Sequence, residues 1–283
     1  MKFLTTSLLL LALVTSNIFS QSKGHLLIVG GVQTKDIQKK FVELAGGANA
    51  RIIIIPNAGS EPKRSSESQQ RDFIDLGAQA DYILFNRETA DNEENIKKME
   101  WANAVFFLGG DQSFLTRDML GTRLLDKVFE IYNNKGVVGG SSAGAAVMSE
   151  VMITGNELIN KDSSSSFVSI QKGNIETAKG FGFIKNAIID QHFLKRKRHN
   201  RLLTLMCEHP DLLGIAIDES TAIIVKPNDT FEVIGRNQVL VYDPTAAKNI
   251  RTDTSGNLGI SNMKMHLLIK GDKFDMIKKE VIE

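Results

Sequence analysis

Ser142 lies in a short stretch whose residue types and spacing are typical of a catalytic serine. The stretch is Gly139–Ala146, GGSSAGAA, between an apolar run and the start of a helical pattern. Within it, Gly140–Gly144 matches G-x-S-x-G, a strand-to-helix turn in which glycines let the backbone bend sharply and present the serine above a sheet. The alternative is a tight turn with no catalytic role. Whether Ser142 is catalytic therefore depends on whether the chain also supplies a base and an acid.

A serine hydroxyl is a poor nucleophile at neutral pH and needs a neighbouring base. Of the five histidines, only His192 lies just past the end of an apolar strand pattern, NAIID. In parallel α/β sheets, ligands lie at the carboxyl ends of the strands. His192 is therefore the predicted base, and a hydrogen-bonded surface histidine is the alternative.

A third group should orient the imidazole and stabilise its protonated form. The run GIAIDES ends another strand pattern in two carboxylates, Asp218 and Glu219. Because neighbouring side chains of a strand point to opposite faces, only one of them reaches His192 easily, and the pattern does not choose. A capped turn is the alternative. The chain order serine, histidine, acid differs from the order in α/β-hydrolases, so an ordinary esterase is disfavoured.

A Gly-Gly pair at another strand end could supply donors for a developing oxyanion. The run FFLGGDQSF contains Gly110, whose backbone N–H could act together with that of Ala143. Asp111 could at the same time be the N-cap of the helix that follows. The predicted oxyanion hole is thus formed by Gly110 and Ala143.

Short apolar strands that alternate with amphipathic helices must position these residues. The apolar runs end in Gly or Asn and include HLLIVGG, RIIIIPNAG, ADYILFN, NAVFFLGG and KGVVGG. Such strands indicate an α/β fold, a mainly parallel sheet covered by helices on both faces. Toward the C-terminus, shorter strands with turns predict antiparallel pairing. No repeat or long linker divides the chain, so residues 23–283 are predicted to form a single catalytic domain.

Composition and charge restrict the function classes. The chain has 283 residues, 42% of them hydrophobic, and a formal net charge of +1. Without a global basic field or interleaved aromatic residues, nucleic-acid binding has no support. The single cysteine, Cys207, permits no internal disulfide and excludes a cysteine-rich metal site. For the serine chemistry we expect neither a metal nor a cofactor.

The first 22 residues have the layout of a secretory signal peptide. Lys2 precedes a leucine-rich run, Leu8–Val14, which small and polar residues follow. The apolar run is too short for a membrane span, which needs roughly 20 residues. No cysteine is present there for a lipid anchor. We therefore expect a secreted or periplasmic protein that is free of the membrane after signal cleavage.

A polar segment, NKDSSSSF at residues 160–167, interrupts the alternation of strands and helices. Its serines and charged residues predict a mobile surface loop. Such a loop could cover a site or be merely solvated, and the sequence does not decide between the two.

Four separated motifs occur together: GGDQ, GGSSAGA, DQHF followed by RKRHNR, and GIAIDES. In this order they resemble cyanophycinase, a serine exopeptidase family related to the aspartyl dipeptidases, with a flavodoxin-like fold similar to that of class I glutamine amidotransferases. The resemblance extends from the first strand to about Asp243. It implies Ser142 as nucleophile, His192 as base and Glu219 as acid, with Asp218 in reserve.

One departure qualifies the resemblance. The family usually has threonine before the nucleophile, where this chain has Ser141. The related amidotransferases use cysteine as nucleophile, so the serine disfavours glutamine hydrolysis. The family also implies a homodimer.

The resemblance implies a substrate that carries both signs of charge. Cyanophycin is a poly-aspartate chain with arginine on each β-carboxyl, and the family releases β-aspartyl-arginine dipeptides. Arginines suit substrate carboxylates because they bind them in a bidentate way. The positions that match the family's pocket pattern are Arg196, Arg198 and Arg201. Three further polar residues could receive a guanidinium or an amide: Gln112, Asp190 and Gln191.

Helical geometry limits how many of these arginines can share a pocket. At about 100° per residue, Arg198 and Arg201 share a helix face, whereas Arg196 points nearly the opposite way. Either Arg196 precedes the helix, or only two arginines reach the pocket; a solvated basic face is the common alternative. Two other functions stay open. The chain could act on other aspartyl or β-linked peptides, or be an inactive homologue that binds acidic peptides.

Overall fold

The computed structural model describes residues 23–159, 161 and 167–283. The predicted signal peptide, residues 1–22, lies outside the described residues, and so does most of the predicted loop 160–167. Among the residues that are described, no helix is long and apolar enough to cross a membrane.

Strands and helices alternate through the first half of the described chain. The strands are β1 (His25–Val29), β2 (Arg51–Ile55), β3 (Gln79–Tyr82), β4 (Ala104–Phe107), β5 (Val137–Ser141), β6 (Val151–Glu157), β7 (Ile175–Lys179), β8 (Ala187–Gln191), β9 (Leu213–Ile217), β10 (Thr221–Val225), β11 (Thr230–Gly235), β12 (Val239–Asp243), β13 (Lys248–Thr252), β14 (Leu258–Ser261), β15 (Lys264–Leu268), β16 (Lys273–Asp275) and β17 (Glu280–Ile282). The α-helices are α1 (Lys35–Leu44), α2 (Pro62–Asp75), α3 (Glu93–Trp101), α4 (Gln112–Met119), α5 (Arg123–Asn133), α6 (Ala143–Ala146) and α7 (His199–Glu208).

Two larger sheets contain most of the strands. The first has the order β17-β16-β11-β10-β1-β5-β4-β2-β3, and its strands β1 to β5 pair in parallel. Antiparallel strands extend it beyond β1, beginning with β10. The second has the order β15-β12-β9-β8. The predicted fold class, a mainly parallel α/β sheet with short antiparallel strands toward the C-terminus, is confirmed.

Strand β9 departs from the predicted antiparallel pairing. It pairs with β8 in parallel and only with β12 antiparallel. The helix α7 connects β8 to β9, and such a crossover is what parallel neighbours require. Because β8 and β9 run in the same direction, their carboxyl ends meet at one edge, and the residues that follow both strands are brought together.

The central strands are buried on both faces, as their continuous apolar runs predict. Along β1, Leu27 joins a cluster with Phe41 of α1 and Phe73 of α2, whereas its neighbour Leu26 faces the opposite cluster. This division follows from the alternation of side chains along a strand. The helices thus hold the sheet from both sides and fix the edge at which β1, β4 and β5 end.

An aromatic cluster under α1 and α2 gives a test of this packing. Phe73 is fully buried, and its ring lies 5.5 Å from that of Phe41 and 5.6 Å from that of Phe106. Phe73→Ala should lower the free energy of unfolding by about 3–5 kcal/mol, because a large cavity is left in the core. Phe114→Ala is the matched control, since Phe114 is 41% exposed. Denaturant unfolding of both variants checks the difference, and a loss at position 73 no greater than at position 114 would contradict it.

Candidate active site

Ser142 stands at the sharp turn between β5 and α6. Its backbone has φ 55° and ψ −108°, and its N–H donates to the carbonyl of Val29 at 3.1 Å. The flanking glycines are required by close approach. A Cβ on Gly140 would stand 2.5 Å from the carbonyl carbon of Gly144, and one on Gly144 would stand 2.8 Å from Cβ of Phe107. The turn therefore needs glycine at both positions and presents Ser142 at the end of the sheet.

The three predicted catalytic side chains lie in one hydrogen-bonded chain. The hydroxyl of Ser142 donates to Nε2 of His192 at 2.8 Å, and Nδ1–H of His192 donates to Oε1 of Glu219 at 2.8 Å. The side chain of His192 is 8% exposed and that of Glu219 is 21% exposed. A carboxylate on Nδ1 holds the tautomer in which Nε2 is free to take a proton from the serine.

The choice between the two carboxylates is decided by the turn after β9. Glu219 reaches His192, whereas Oδ1 of Asp218 accepts from the backbone N–H of Lys195 at 2.9 Å. Asp218 thus holds the turn that follows His192 and does not contact the imidazole. The two side chains point in different directions, as alternation along a strand requires. Asp218, the reserve candidate for the acid, caps the turn after His192 instead.

Each of the three loops that carry these side chains contains a non-glycine residue with positive φ. His192 has φ 50° and Ser220, next to Glu219, has φ 56°, as Ser142 has 55°. For residues with a Cβ, such left-handed conformations cost about 1–3 kcal/mol each and persist where the surroundings impose them. Here the imposed geometry points all three side chains toward one another.

The electrostatic surroundings keep the imidazole neutral. Burial is the largest effect and lowers the pKa of His192 below 6.5, and the positive charges of Arg196 and Arg198 lower it further. The hydrogen bond and charge of Glu219 act in the opposite direction and raise it. Since the net shift is downward, His192 is an unprotonated base at neutral pH.

The predicted oxyanion donors lie beside the serine turn. Gly110 has φ 142°, and a Cβ there would overlap the carbonyl of Ala58. The neighbouring Gly109 contacts the serine, since a Cβ on it would stand 3.2 Å from Cβ of Ser142. Within the described part of the chain, the N–H groups of Gly110 and Ala143 are not donated to any acceptor. Their role as an oxyanion hole remains a prediction that this geometry permits.

Asp190 and Arg201 do not face a substrate, which corrects the prediction for both. Nε of Arg201 donates to Oδ2 of Asp190 at 2.8 Å, and a second guanidinium nitrogen donates to Oδ1. The two side chains are 0% and 1% exposed. The guanidinium also lies over the ring of Phe167, 5.0 Å from its centre. The pair is fully desolvated and internal, so its charges neutralise each other below the site.

The two predicted glutamines make internal contacts. Nε2 of Gln112 donates to the carbonyls of Ile153 and Thr154, each at 2.6 Å, and so ties α4 to β6. This leaves Oε1 of Gln112 as the atom for a substrate donor, and that role stays a prediction. Oε1 of Gln191 accepts from Arg198. Gln191 therefore orients an arginine instead of receiving the substrate's guanidinium as predicted.

Arg198 is a buried guanidinium that has no carboxylate partner among the described residues. Its Nη1 donates to the carbonyl and side-chain oxygen of Gln191, while its Nε is buried and has no partner among the described residues. Burial first and repulsion from Arg201 second lower the pKa of Arg198 to about 9. Arg196, by contrast, is exposed, and both Arg196 and the N-cap residue Arg198 precede α7. The first of the two sequence alternatives for Arg196 is thus correct.

The comparison with family models decides the family. Residues 26–234 match the model of peptidase family S51. The chain belongs to peptidase family S51. The match spans the strands that carry Ser142, His192 and Glu219, and membership makes the chain a serine-type peptidase.

Curated relatives within the family are cyanophycinases, which confirms the resemblance drawn from the four motifs. The chain is 31% identical over 277 residues to the cyanophycinase of Synechococcus elongatus, covering 94% of this chain and 84% of that protein. It is 32% identical over 263 residues to the cyanophycinase of Geminocystis herdmanii, covering 89% and 94%. A solved peptidase from an acI-B1 Actinobacterium superposes with a TM-score of 0.67 at 22% identity, covering 90% of this chain and 98% of that one, and so shares the fold.

Two residues of this S51 peptidase's site were missed by sequence reasoning. Gly31 lies against the imidazole, because a Cβ on it would stand 2.5 Å from Cε1 of His192. Ser141 donates its hydroxyl to the carbonyl of Gly31 at 2.6 Å. In the sequence, Gly30 and Gly31 served only to end a strand pattern. A glycine pair at a strand end can also indicate close backbone approach, which was the available signal.

The charge of Arg196 gives a prediction for the base. Arg196→Gln should raise the pKa of His192, because a positive charge that disfavours the imidazolium is removed. As the solution is acidified, the variant would then lose its unprotonated base at a higher pH than the parent protein. NMR titration of the imidazole measures the shift directly. Lys197→Gln, in the same exposed turn, is the control and should move it less; an unchanged or lowered pKa in Arg196→Gln would refute the electrostatic account.

Proposed function

We propose that this chain is a secreted serine exopeptidase of cyanophycinase type. It hydrolyses cyanophycin, multi-L-arginyl-poly-L-aspartate, to β-aspartyl-arginine dipeptides through an acyl-enzyme on Ser142. The observation that carries the proposal is the hydrogen-bonded chain of Ser142, His192 and Glu219 in a member of a serine peptidase family. No metal or cofactor is required for this chemistry.

The first half-reaction follows from the direction of the hydrogen bonds. His192 takes the Ser142 proton on Nε2 while Oγ attacks the scissile carbonyl carbon. The resulting imidazolium carries its positive charge beside the carboxylate of Glu219, which stabilises it. The N–H groups of Gly110 and Ala143 donate hydrogen bonds to the carbonyl oxygen and stabilise the negative charge that develops on it. His192 then gives the proton to the leaving amine, and the acyl-enzyme remains on Ser142.

The second half-reaction regenerates the enzyme by the same groups. His192, neutral again, takes a proton from water as the water oxygen attacks the acyl carbon. The proton passes to Oγ of Ser142 when the acyl bond breaks, and the carboxylic acid product leaves. The low pKa of His192 suits both steps, since each begins with the unprotonated imidazole.

Arg198 supports an acidic substrate. A guanidinium that burial and Arg201 destabilise, and that has no carboxylate of its own among the described residues, gains most from an anionic ligand. The curated relatives are named cyanophycinases, and their polymer is rich in carboxylates. A substrate carboxylate beside the guanidinium of Arg198 would supply the missing partner.

Export and assembly are parts of the proposal that rest on the sequence and on family likeness. The layout of residues 1–22 supports secretion or transport to the periplasm. N-terminal sequencing of protein recovered outside the cytoplasm would test it by the position of cleavage. The homodimer is tested by sedimentation of the purified protein.

One experiment discriminates between the proposed function and its alternatives. Protein lacking residues 1–22 is incubated with cyanophycin and with a panel of α- and β-aspartyl dipeptides, and the products are identified by mass. β-Aspartyl-arginine from cyanophycin supports the proposal. Cleavage of other aspartyl peptides alone would make the chain a related isopeptidase. Binding of acidic peptides without cleavage would make it an inactive homologue.

Ser142→Ala should abolish turnover and leave substrate binding and the free energy of unfolding nearly unchanged, because only the nucleophilic hydroxyl is lost. The neighbouring Ser141→Ala should be far milder. Product formation from cyanophycin and binding by calorimetry measure the two effects. Persistent cleavage by Ser142→Ala, or a dead Ser141→Ala beside it, would place the nucleophile elsewhere.

The acid is tested by a matched pair of amide substitutions. Glu219→Gln should lower kcat more than Asp218→Asn, because only Glu219 contacts His192. An amide in place of the carboxylate no longer stabilises the imidazolium. Steady-state kinetics of both variants provide the comparison, and the reverse order would transfer the role to Asp218.

The two buried arginines should differ in what their lysine variants lose. Arg198→Lys keeps the charge but loses the planar fork, so kcat/KM on cyanophycin should fall roughly ten- to a hundredfold, as expected for a charge-assisted bond of about 1.5–3 kcal/mol. A neutral ester should be cleaved almost as before. Arg201→Lys should instead lower the free energy of unfolding, because Arg201 is bound to Asp190. Unchanged cyanophycin cleavage by Arg198→Lys would remove the carboxylate site.

A further inference from the structure

The backbone segment Val29–Val32, which ends β1 and leads toward α1, contacts all three loops that carry the catalytic side chains. Its four consecutive carbonyls accept, in chain order, from the N–H of Ser142 at 3.1 Å, the N–H of His192 at 2.5 Å, the hydroxyl of Ser141 at 2.6 Å and the N–H of Ser220 at 2.9 Å. The loops of the nucleophile, the base and the acid are therefore all hydrogen-bonded to one short stretch of main chain.

Three of these four hydrogen bonds use backbone N–H groups, which are present whatever the side chain. The third uses the hydroxyl of Ser141, which is 7% exposed and lies next to the nucleophile. Among the four, it is the one bond that depends on residue type. The carbonyl it binds belongs to Gly31, the residue that lies against the imidazole.

Gly31 and His192 are in direct contact. A Cβ on Gly31 would stand 2.5 Å from Cε1 of the ring and 3.0 Å from Cγ of Glu219. The main chain at Gly31 thus forms a wall on one side of the His192–Glu219 pair. Main chain this close to the imidazole limits where the ring can lie. The hydrogen bond from the Ser141 hydroxyl in turn holds the main chain of Gly31 in place.

We propose that Ser141 and Gly31 are positioning residues, in which the Ser141 hydroxyl holds the Gly31 main chain against His192 and so keeps Nε2 aligned with Ser142. The inference rests on the proposed function, in which His192 is the base. Neither residue touches the reacting atoms. Their effect is carried by the geometry of the imidazole.

Loss of the Ser141 hydroxyl should act on the chemical step. In Ser141→Ala the carbonyl of Gly31 loses its donor, so the Gly30–Gly31 backbone can shift away from the ring. Misplacement by 1 Å can cost a reaction as much as a hundredfold, and a partial shift should cost kcat roughly tenfold. KM should stay within about twofold, because the hydroxyl is turned toward Gly31 and away from the substrate.

The experiment compares three single variants of the full-length mature protein. Ser141→Ala removes the hydroxyl, and Ser141→Thr retains it. Ser149→Ala is the matched control, since Ser149 is also a buried serine and its Oγ accepts from the backbone N–H of Ile189 at 2.8 Å, away from Gly31. Two rates are measured: cyanophycin turnover, and labelling of Ser142 by a fluorophosphonate, which needs the base but no cyanophycin.

The expected pattern separates positioning from mere stability. Ser141→Ala should label roughly tenfold more slowly and lose kcat with little change in KM, while Ser141→Thr restores both rates. Ser149→Ala should lose thermal stability and keep its labelling rate. Unchanged labelling in Ser141→Ala, or an equal loss in Ser149→Ala, overturns the inference. Slow labelling rescued by threonine in a protein that does not cleave cyanophycin supports the inference while the substrate proposal fails.

A second substitution tests the wall itself. Gly31→Ala adds a methyl group that must displace the imidazole, so labelling should fall at least a hundredfold. Gly259→Ala is its control, because a Cβ there meets only the flexible side chain of Arg251 at 3.1 Å. If Gly31→Ala folds and labels at the parent rate, the ring does not depend on this contact.

Discussion

Hydrogen bonds to the main chain at the end of β1 hold the catalytic arrangement together. β1 lies between β5 and β10 in the nine-stranded sheet, and the N–H of His192, which follows β8 of the other large sheet, donates to the carbonyl of Gly30. Ser142 follows a strand of one sheet and His192 follows a strand of the other, so the packing of the two sheets determines the distance between them. Backbone hydrogen bonds and the Ser141 hydroxyl, which donates to Gly31, maintain this packing, and glycines occupy the positions where the chains come closest.

Charge below the site is arranged so that one arginine remains uncompensated. Asp190 and Arg201 satisfy each other in full burial, and the cost of desolvating both is offset by two hydrogen bonds. Arg198 lies near enough to Arg201 for repulsion to lower its pKa, and Gln191 gives it neutral acceptors only. The carboxylate that could have neutralised Arg198 is thus used elsewhere. An anionic substrate would be bound most strongly at this unsatisfied group.

Two opposing effects determine the pKa of His192. Burial and the neighbouring arginines lower the pKa of His192, and Glu219 raises it. The carboxylate therefore stabilises the imidazolium only when a proton arrives from Ser142, while the resting ring stays neutral. Arg198, which we propose binds an acidic substrate, also contributes with Arg196 to the lowered pKa of His192. Binding of an anion beside them would weaken their repulsion and make proton transfer to His192 easier.

The sequence by itself determined the α/β class, the serine turn, the histidine at a strand end and the family, because apolar periodicity and short motifs are local properties. The strand pattern did not choose between Asp218 and Glu219, since both follow the same strand, and only the family resemblance favoured Glu219. The sequence assigned Asp190 and Arg201 to the substrate, whereas the fold buries them against each other. It also missed Gly31, which lies far from His192 in the chain. These matters depend on which loops meet at the end of β1, and only the packing of two sheets decides that.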